Sequence, residues 1–204
     1  FFFDGQGNRA SAEIIETHRS KTHVVIKPAT FSEPLEPRLH LCCALPKTDR
    51  AEWIIEKCSE LGVSSIHWVA CEHSQAPKKD HAKKFERWRR IAREAARQSH
   101  NDWVPDIKEV IPFREVCASY THDTRIVLDT SILPSLVSIN PKPRARYVIF
   151  VGPEGGFTAD ERDLLKQMGW HSMSLGTTIL RVETAAVVGV GLIRALTSSA
   201  LGPL

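Results

Sequence analysis

The chain has 204 residues, 42% hydrophobic and 25% charged, and 27 Lys and Arg against 24 Asp and Glu leave a net charge of +3. That balance predicts an ordinary soluble globular protein, one mid-sized domain with a small one beside it, mildly inclined toward a polyanionic partner. No apolar run nears the roughly 20 residues needed to cross a bilayer, and five cysteines with no C-x-x-C pair predict a reducing cytoplasm rather than a disulfide framework.

Phe1-Phe2-Phe3 runs straight into Asp4-Gly5-Gln6-Gly7, a strand-to-turn pattern without the charged start or cleavage site of a signal peptide. No initiator methionine is present, so the sequence is expected to begin inside a domain. Ala12 to Ile15 and His23 to Ile26 are strand-like. Pro28, Pro34 and Pro37, interleaved with Glu33 and Glu36, read as a linker, which sets a boundary between residues 1–38 and 39–204. Leu39 to Leu45 is a short apolar run of the kind a buried parallel strand needs.

Strands and helices then alternate. Asp49 and Glu52 mark a helix start, Ala51, Ile54, Ile55, Cys58 and Leu61 recur at helical spacing, and Gly62 is placed to end the helix. Val63 to Cys71 reads as a strand. Residues 80–98 read as a long amphipathic helix with Phe85, Trp88, Ala92 and Ala95 on its apolar face. Arg125 to Leu128 and Tyr147 to Val151 are strands. Thr158 and Glu161 have capping-box spacing for a helix that Gly169 can close, Ser172 to Leu175 is a last strand, and Glu183 to Leu196 a last helix. Such alternation implies an α/β fold with a mostly parallel sheet covered on both faces.

Two loops carry the chemistry. Val151-Gly152-Pro153-Glu154-Gly155-Gly156-Phe157 joins a strand to a capped helix, where glycines let the backbone approach a ligand. No Gly-Lys-Ser/Thr follows, and Gly189-Val190-Gly191 lacks the third glycine of a dinucleotide fingerprint, so nucleotide-triphosphate and NAD chemistry both lack support. The second loop, Gly176-Thr177-Thr178-Ile179-Leu180-Arg181, leads into a helix near Glu183 and Thr184. Two Gly-bearing loops at neighbouring strand ends predict a pocket with backbone polar groups and apolar walls, suited to a neutral adenosyl group. His67, Cys71 and His73 alternate along one strand-like stretch with no second ligand pair at zinc-finger spacing, so no metal is expected. Lys78, Lys79, Lys83, Lys84, Arg87, Arg89, Arg90, Arg93 and Arg97 make the long helix strongly basic, which is either a solvated face or a phosphate-binding one. Trp53, Trp88 and Trp103 are candidates for stacking on bases, although Trp88 falls on the apolar stripe.

Gly152-Pro-Glu-Gly-Gly-Phe157, followed by Leu175-Gly-x-x-Ile-Leu-Arg-x-Glu-Thr-Ala185, resembles the C-terminal signature of the ribosomal RNA small-subunit methyltransferase E family, of the SPOUT superfamily. Leu45-Pro46-Lys47-x-Asp49-Arg50, Lys57-x-x-Glu60-Leu61-Gly62-Val63 and Glu94-Ala95-Ala96-x-Gln98-Ser99 resemble its other landmarks in the same order, so the likeness covers essentially the whole chain. The resemblance implies a SPOUT domain with a C-terminal trefoil knot over residues 39–204, preceded over residues 1–38 by a truncated PUA-like RNA-binding β domain. It implies a homodimer, S-adenosylmethionine as cofactor, and small-subunit ribosomal RNA or the 30S particle as substrate. Carried over, Gly152, Gly155, Gly156, Leu175, Gly176, Ile179, Leu180 and Thr184 would bind the cofactor. Arg181 and Glu183 would serve catalysis, and Lys83, Lys84, Arg87, Arg90, Gln98 and Ser99 would bind RNA. His73, Arg97 and Asn101 depart from the family's pattern in segments expected to face RNA.

The implied reaction is methylation of uridine N3, whose proton must leave before its lone pair can attack. Arg181 suits stabilisation of the uracil anion and Glu183 is a candidate base, although its place at a helix start also suits capping. Two other readings stay open: another SPOUT reaction such as ribose 2′-O methylation of transfer RNA, and a non-catalytic ribosome-assembly factor.

Overall fold

The computed structural model describes residues 1–74, 82–121, 123–130 and 145–198, with the side chains of Thr48 and Ser198 left out. The strands are β1 (Phe2–Phe3), β2 (Asn8–Ala10), β3 (Ala12–Thr17), β4 (Thr22–Ile26), β5 (Thr30–Phe31), β6 (Arg38–Ala44), β7 (Ser65–Ala70), β8 (Asp106–Pro112), β9 (Thr124–Leu128), β10 (Arg146–Val151) and β11 (His171–Met173). The helices are α1 (Thr48–Glu60), α2 (Ala82–Gln98), α3 (Phe113–Ala118), α4 (Ala159–Gln167) and α5 (Val182–Ser198). Lys78 and Lys79 of the basic run lie outside the described residues.

Six strands form one sheet in the order β11-β9-β10-β6-β7-β8, and every pairing in it is parallel. Strand alternation then divides the core into two layers. Leu39, Leu41, Cys43, Ile66, Trp68, Tyr147 and Ile149 face α1, α2 and α5, meeting Ile54, Ile55, Trp88, Ala92, Ala186 and Val190. Cys42, Ala44, Val69, Val148 and Phe150 face the other way, onto Phe113, Val116 and Cys117 of α3, Leu165 of α4, Phe157 and Trp170. All five cysteines are buried in these layers, and burial pushes the Cys42 thiol up to about 12 and that of Cys117 to about 11.

Local signals explain the element ends. Thr158 Oγ1 accepts from the Glu161 amide at 3.2 Å while Glu161 Oε2 accepts from the Thr158 amide at 2.9 Å, closing the capping box expected for α4. Gly62 and Gly169 follow α1 and α4 with φ of +71° and +77°, the left-handed geometry a helix end favours. Arg194 of α5 reaches beneath α1 and donates to the carbonyls of Leu61, Gly62 and Pro37 at 3.3, 2.8 and 2.9 Å.

Before the parallel sheet lie a three-stranded antiparallel sheet, β1-β2-β5, and a hairpin, β3-β4. The first is fastened to the segment between α2 and β8. Asp102 accepts from Arg9 Nε at 2.5 Å and from Ser32 Oγ at 2.9 Å, and the Trp103 indole donates to the Ser32 carbonyl at 2.9 Å. The sequence pattern omits β8 and α3. A register shift between Ile66 and Trp68 breaks the alternation of β8 against β7, and α3, at six residues, is too short to show a period.

Candidate functional site

Strands β10, β9 and β11 are neighbours, and a cavity of about 430 Å³ opens over their C-terminal ends at Val151, Leu128 and Met173. Its walls are the loop after β10 and the loop between β11 and α5, the two loops the sequence singles out. Parallel strands all release their chain at the same sheet edge, so loops distant in sequence converge there.

Packing fixes the first loop. A Cβ on Gly152 would stand 2.7 Å from the Phe157 ring, which is itself buried against Phe113 and Phe150. Gly156 takes φ +72°, and its carbonyl lies 3.1 Å from Nδ1 of His73. A Cβ on Gly155 would meet the Cβ of His73 at 3.0 Å, so His73, itself exposed, packs against this loop. Asn101, another departure from the family pattern, is used locally: its Oδ1 accepts from the Trp103 amide at 3.0 Å. Arg97, the third, is exposed and pairs with Glu94.

The second loop is shaped by Ser174, whose hydroxyl donates to the Gly176 carbonyl at 3.0 Å. Gly176 has φ +138° and open space where a Cβ would be. Ile179 is 88% exposed, an apolar side chain at the cavity lip. Of the eight residues expected to hold a cofactor, Gly152, Gly155, Gly156, Leu175, Gly176, Ile179 and Leu180 line the cavity, and Thr184 does not. Arg181 lines it and is exposed, whereas Glu183 is absent from its walls. The reason is helical phase. The Ala185 amide donates to the Arg181 carbonyl, so 181 and 185 share the cavity side of α5, while Glu183 sits about half a turn away. Glu183 faces α1 instead, with Oε1 3.9 Å from Nε of Arg50 and Oε2 buried without a hydrogen-bond partner among the described residues.

Charged groups not singled out in the sequence join the site. Arg162 of α4 and Asp129 after β9 both line the cavity and pair at 3.3 Å, and Glu154 accepts from Arg50 at 2.7 Å. Arg50 lay within a recognised landmark, which was the available signal. Asp129 had none beyond following a strand.

On α2 the buried residues Phe85, Trp88, Ala92, Ala95 and Ala96 turn inward, leaving Lys83, Arg87, Arg90, Arg93 and Arg97 exposed. Arg87 donates to Glu52 at 2.7 Å, and Nζ of Lys84 lies 4.6 Å from the Trp88 ring centre. Gln98 is exposed, while the Ser99 hydroxyl turns back to the Ala95 and Ala96 carbonyls. Trp88 is core at 1% exposure, and Trp53 is 41% exposed. Among the described residues, the group of three His, Cys, Asp or Glu side chains with ligand atoms within 4.8 Å of one another is Glu16, His18 and His23, on the exposed hairpin, and not the run at His67, Cys71 and His73. No described helix is long and apolar enough to cross a membrane.

Residues 33–194 match the family described as an RNA methyltransferase domain. A ribosomal RNA small subunit methyltransferase E from Bacillus subtilis is 31% identical over 199 residues, covering 92% of this chain and 77% of the relative. The crystal structure of a protein of that name from Neisseria gonorrhoeae, bound to S-adenosyl methionine, superposes with a TM-score of 0.85 at 28% identity, over 95% of this chain and 81% of that one. A methyltransferase structure from Legionella pneumophila, also with bound S-adenosylmethionine, gives 0.85 at 26% identity, with the same coverage of 95% and 81%.

Proposed function

The chain belongs to the ribosomal RNA small subunit methyltransferase E family of RNA methyltransferases, and on that footing we propose that it methylates N3 of a uridine in small-subunit ribosomal RNA, using S-adenosylmethionine. The observation that carries this reading is the single cavity made by both glycine loops at three adjacent strand ends.

The lining suits the cofactor. Leu175, Leu180 and Val151 supply apolar walls, and backbone brought close by Gly156 and Gly176 supplies donors and acceptors for an adenosyl group. When bound, S-adenosylmethionine supplies an activated methyl on a sulfonium. The protein's own task is then to hold the base, exclude water and deal with one proton. Arg181, at the cavity wall, is assigned the stabilisation of negative charge developing on the uracil as the N3 proton leaves. A guanidinium beside the ring favours the anion and so eases that loss.

In this reading residues 1–38 form a PUA-like unit and residues 39–204 a SPOUT domain with a trefoil knot. The antiparallel N-terminal strands and the insertion of β10 between β9 and β6 support that division. The working unit is a homodimer. Its support is apolar surface on the paired helices α1 and α5, where Trp53, Val188 and Leu196 are 41%, 43% and 40% exposed. Lys83, Arg87 and Arg90 on α2 face the RNA phosphates.

The test is incubation with labelled methyl donor and undermodified small ribosomal subunits, followed by nucleoside mass spectrometry. N3-methyluridine is expected, forming far better on the particle than on short free RNA. A ribose methyl would overturn the N3 assignment, and no methyl despite bound cofactor would favour an assembly factor.

A further inference from the structure

Arg50, in the first turn of α1, lies outside the cavity lining yet reaches both the loop after β10 and the first turn of α5, which the second loop leads into. Its Nη1 donates to Glu154 Oε1 at 2.7 Å, and its Nε stands 3.9 Å from Glu183 Oε1. Glu154 belongs to the loop after β10, and Glu183 follows Arg181 at the start of α5. One planar guanidinium therefore spans the two segments that must keep register for a ligand to fit between them.

Glu183 is poorly placed for proton transfer. Its side chain is only 14% exposed, its Oε2 is buried without a hydrogen-bond partner among the described residues, and Glu183 does not line the cavity. Its compensation comes from Arg50 and from the N-terminal end of α5, whose dipole favours a negative group. A carboxylate held this way serves as an anchor.

We propose that Arg50 is a positioning residue for methyl transfer. It ties the Gly-Pro-Glu-Gly-Gly loop to the Arg181-bearing turn through Glu154 and Glu183, and Glu183 is the fixed end of that tie rather than the proton acceptor. Holding the loops together before the ligand arrives spares the ordering cost that would otherwise be charged to binding. It also aims Arg181, whose carbonyl opens the first turn of α5. The catalytic consequence rests on the methyltransferase reading. The tie itself does not.

The experiment therefore has one arm without cofactor. Amide hydrogen exchange is compared in wild type, Arg50→Ala, Arg50→Lys and Glu154→Gln. Faster exchange is expected together at 152–157 and 176–183 in Arg50→Ala, with the β6 and β7 amides unchanged. Arg50→Lys should lie between, because an ammonium is a compact point charge without the wide planar fork that presents separate N–H groups to the two segments. Unchanged exchange in either loop overturns the tie whether or not the protein binds S-adenosylmethionine. Glu154→Gln keeps this arm readable should Arg50→Ala fail to fold.

The second arm titrates S-adenosylmethionine and measures turnover. Arg50→Ala should weaken cofactor binding about tenfold, and adding Glu183→Gln should do little more, as expected of residues acting as one unit. Glu183→Gln alone should lower turnover by the same factor at every pH. Recovery of its activity at higher pH would identify Glu183 as the base and overturn the anchor assignment. Wild-type protein that binds no S-adenosylmethionine defeats the methyltransferase reading, and the exchange arm still decides the tie.

Discussion

Gly176 holds a φ of +138° with nothing within 4 Å of where a side chain would begin. A β-branched residue there must adopt a backbone state costing about 1–3 kcal/mol, at a position that lines the cavity. Gly176→Val should therefore weaken S-adenosylmethionine binding at least about tenfold while circular dichroism stays native, and calorimetry showing unchanged affinity would remove the loop from the cofactor site. Gly155 differs, because its substituent would meet His73 rather than open space, so Gly155→Val acts by displacing the loop. His67 offers a second test. Its Nε2 meets Tyr120 Oη at 2.8 Å and Ser65 Oγ at 3.1 Å, and burial, then His40 and Lys108, hold its pKa down to about 4 against the partial opposition of Asp106. The unfolded chain, titrating near 6.5, takes up this proton first as pH falls. Stability from this group is thus complete above pH 6.5 and is lost progressively down to about 4. Melting temperatures measured across that window should fall less steeply in His67→Gln. An identical slope would show that His67 does not couple to folding.

Between elements, the junction of α1, α5 and β6 turns on Arg194. Its guanidinium satisfies carbonyls at the end of α1 and at Pro37, just before β6, so one side chain closes a helix terminus and joins three segments. Arg194→Ala leaves those acceptors unpaired in a largely buried place, and a loss of about 2–3 kcal/mol is expected for charge-assisted bonds of this kind. Urea denaturation is the measurement, and a midpoint within error of wild type would mean that water replaces the side chain without penalty. Elements of this sort were unevenly legible. α1, α2, α4 and α5 could be read because each buries one stripe or carries a cap, as the Thr158–Glu161 box does for α4. β8 was not, since an edge strand buried mainly at Ile107 carries no clean alternation. The glycine loops were readable as punctuation. Asp129 and Arg162 were not readable as site residues, because chain crossing rather than spacing brings them to one sheet edge, and Arg50 was legible only as part of a landmark.

At the scale of the whole molecule, the parallel sheet separates the cavity from the basic helix by direction. The two glycine loops gather over one end of the strands, while α2 lays its basic face along the outside of the α1–α2–α5 layer. If that face meets phosphates, RNA affinity should fall steeply with salt, and Lys83→Glu with Arg90→Glu should flatten the log–log slope by about 0.7–0.9 per lost contact. Arg87 is the poorer choice for this test, since it already pairs with Glu52. Filter binding over a salt series decides it. An unchanged slope returns α2 to the role of a solvated face.

The cysteines in the two core layers have a practical consequence of a different kind. Cys42, Cys43, Cys58, Cys71 and Cys117 are all buried, and burial raises each thiol well away from its reactive thiolate. A disulfide reagent should find nothing to modify while the sheet is intact, and five sites as soon as its two faces part. Labelling under native conditions then becomes a clock for global opening, running at the unfolding rate when reagent is abundant. Because the thiols lie on both sides of the sheet, sequential labelling would reveal one helical layer peeling before the other, and simultaneous labelling would show the two layers opening as a single cooperative unit.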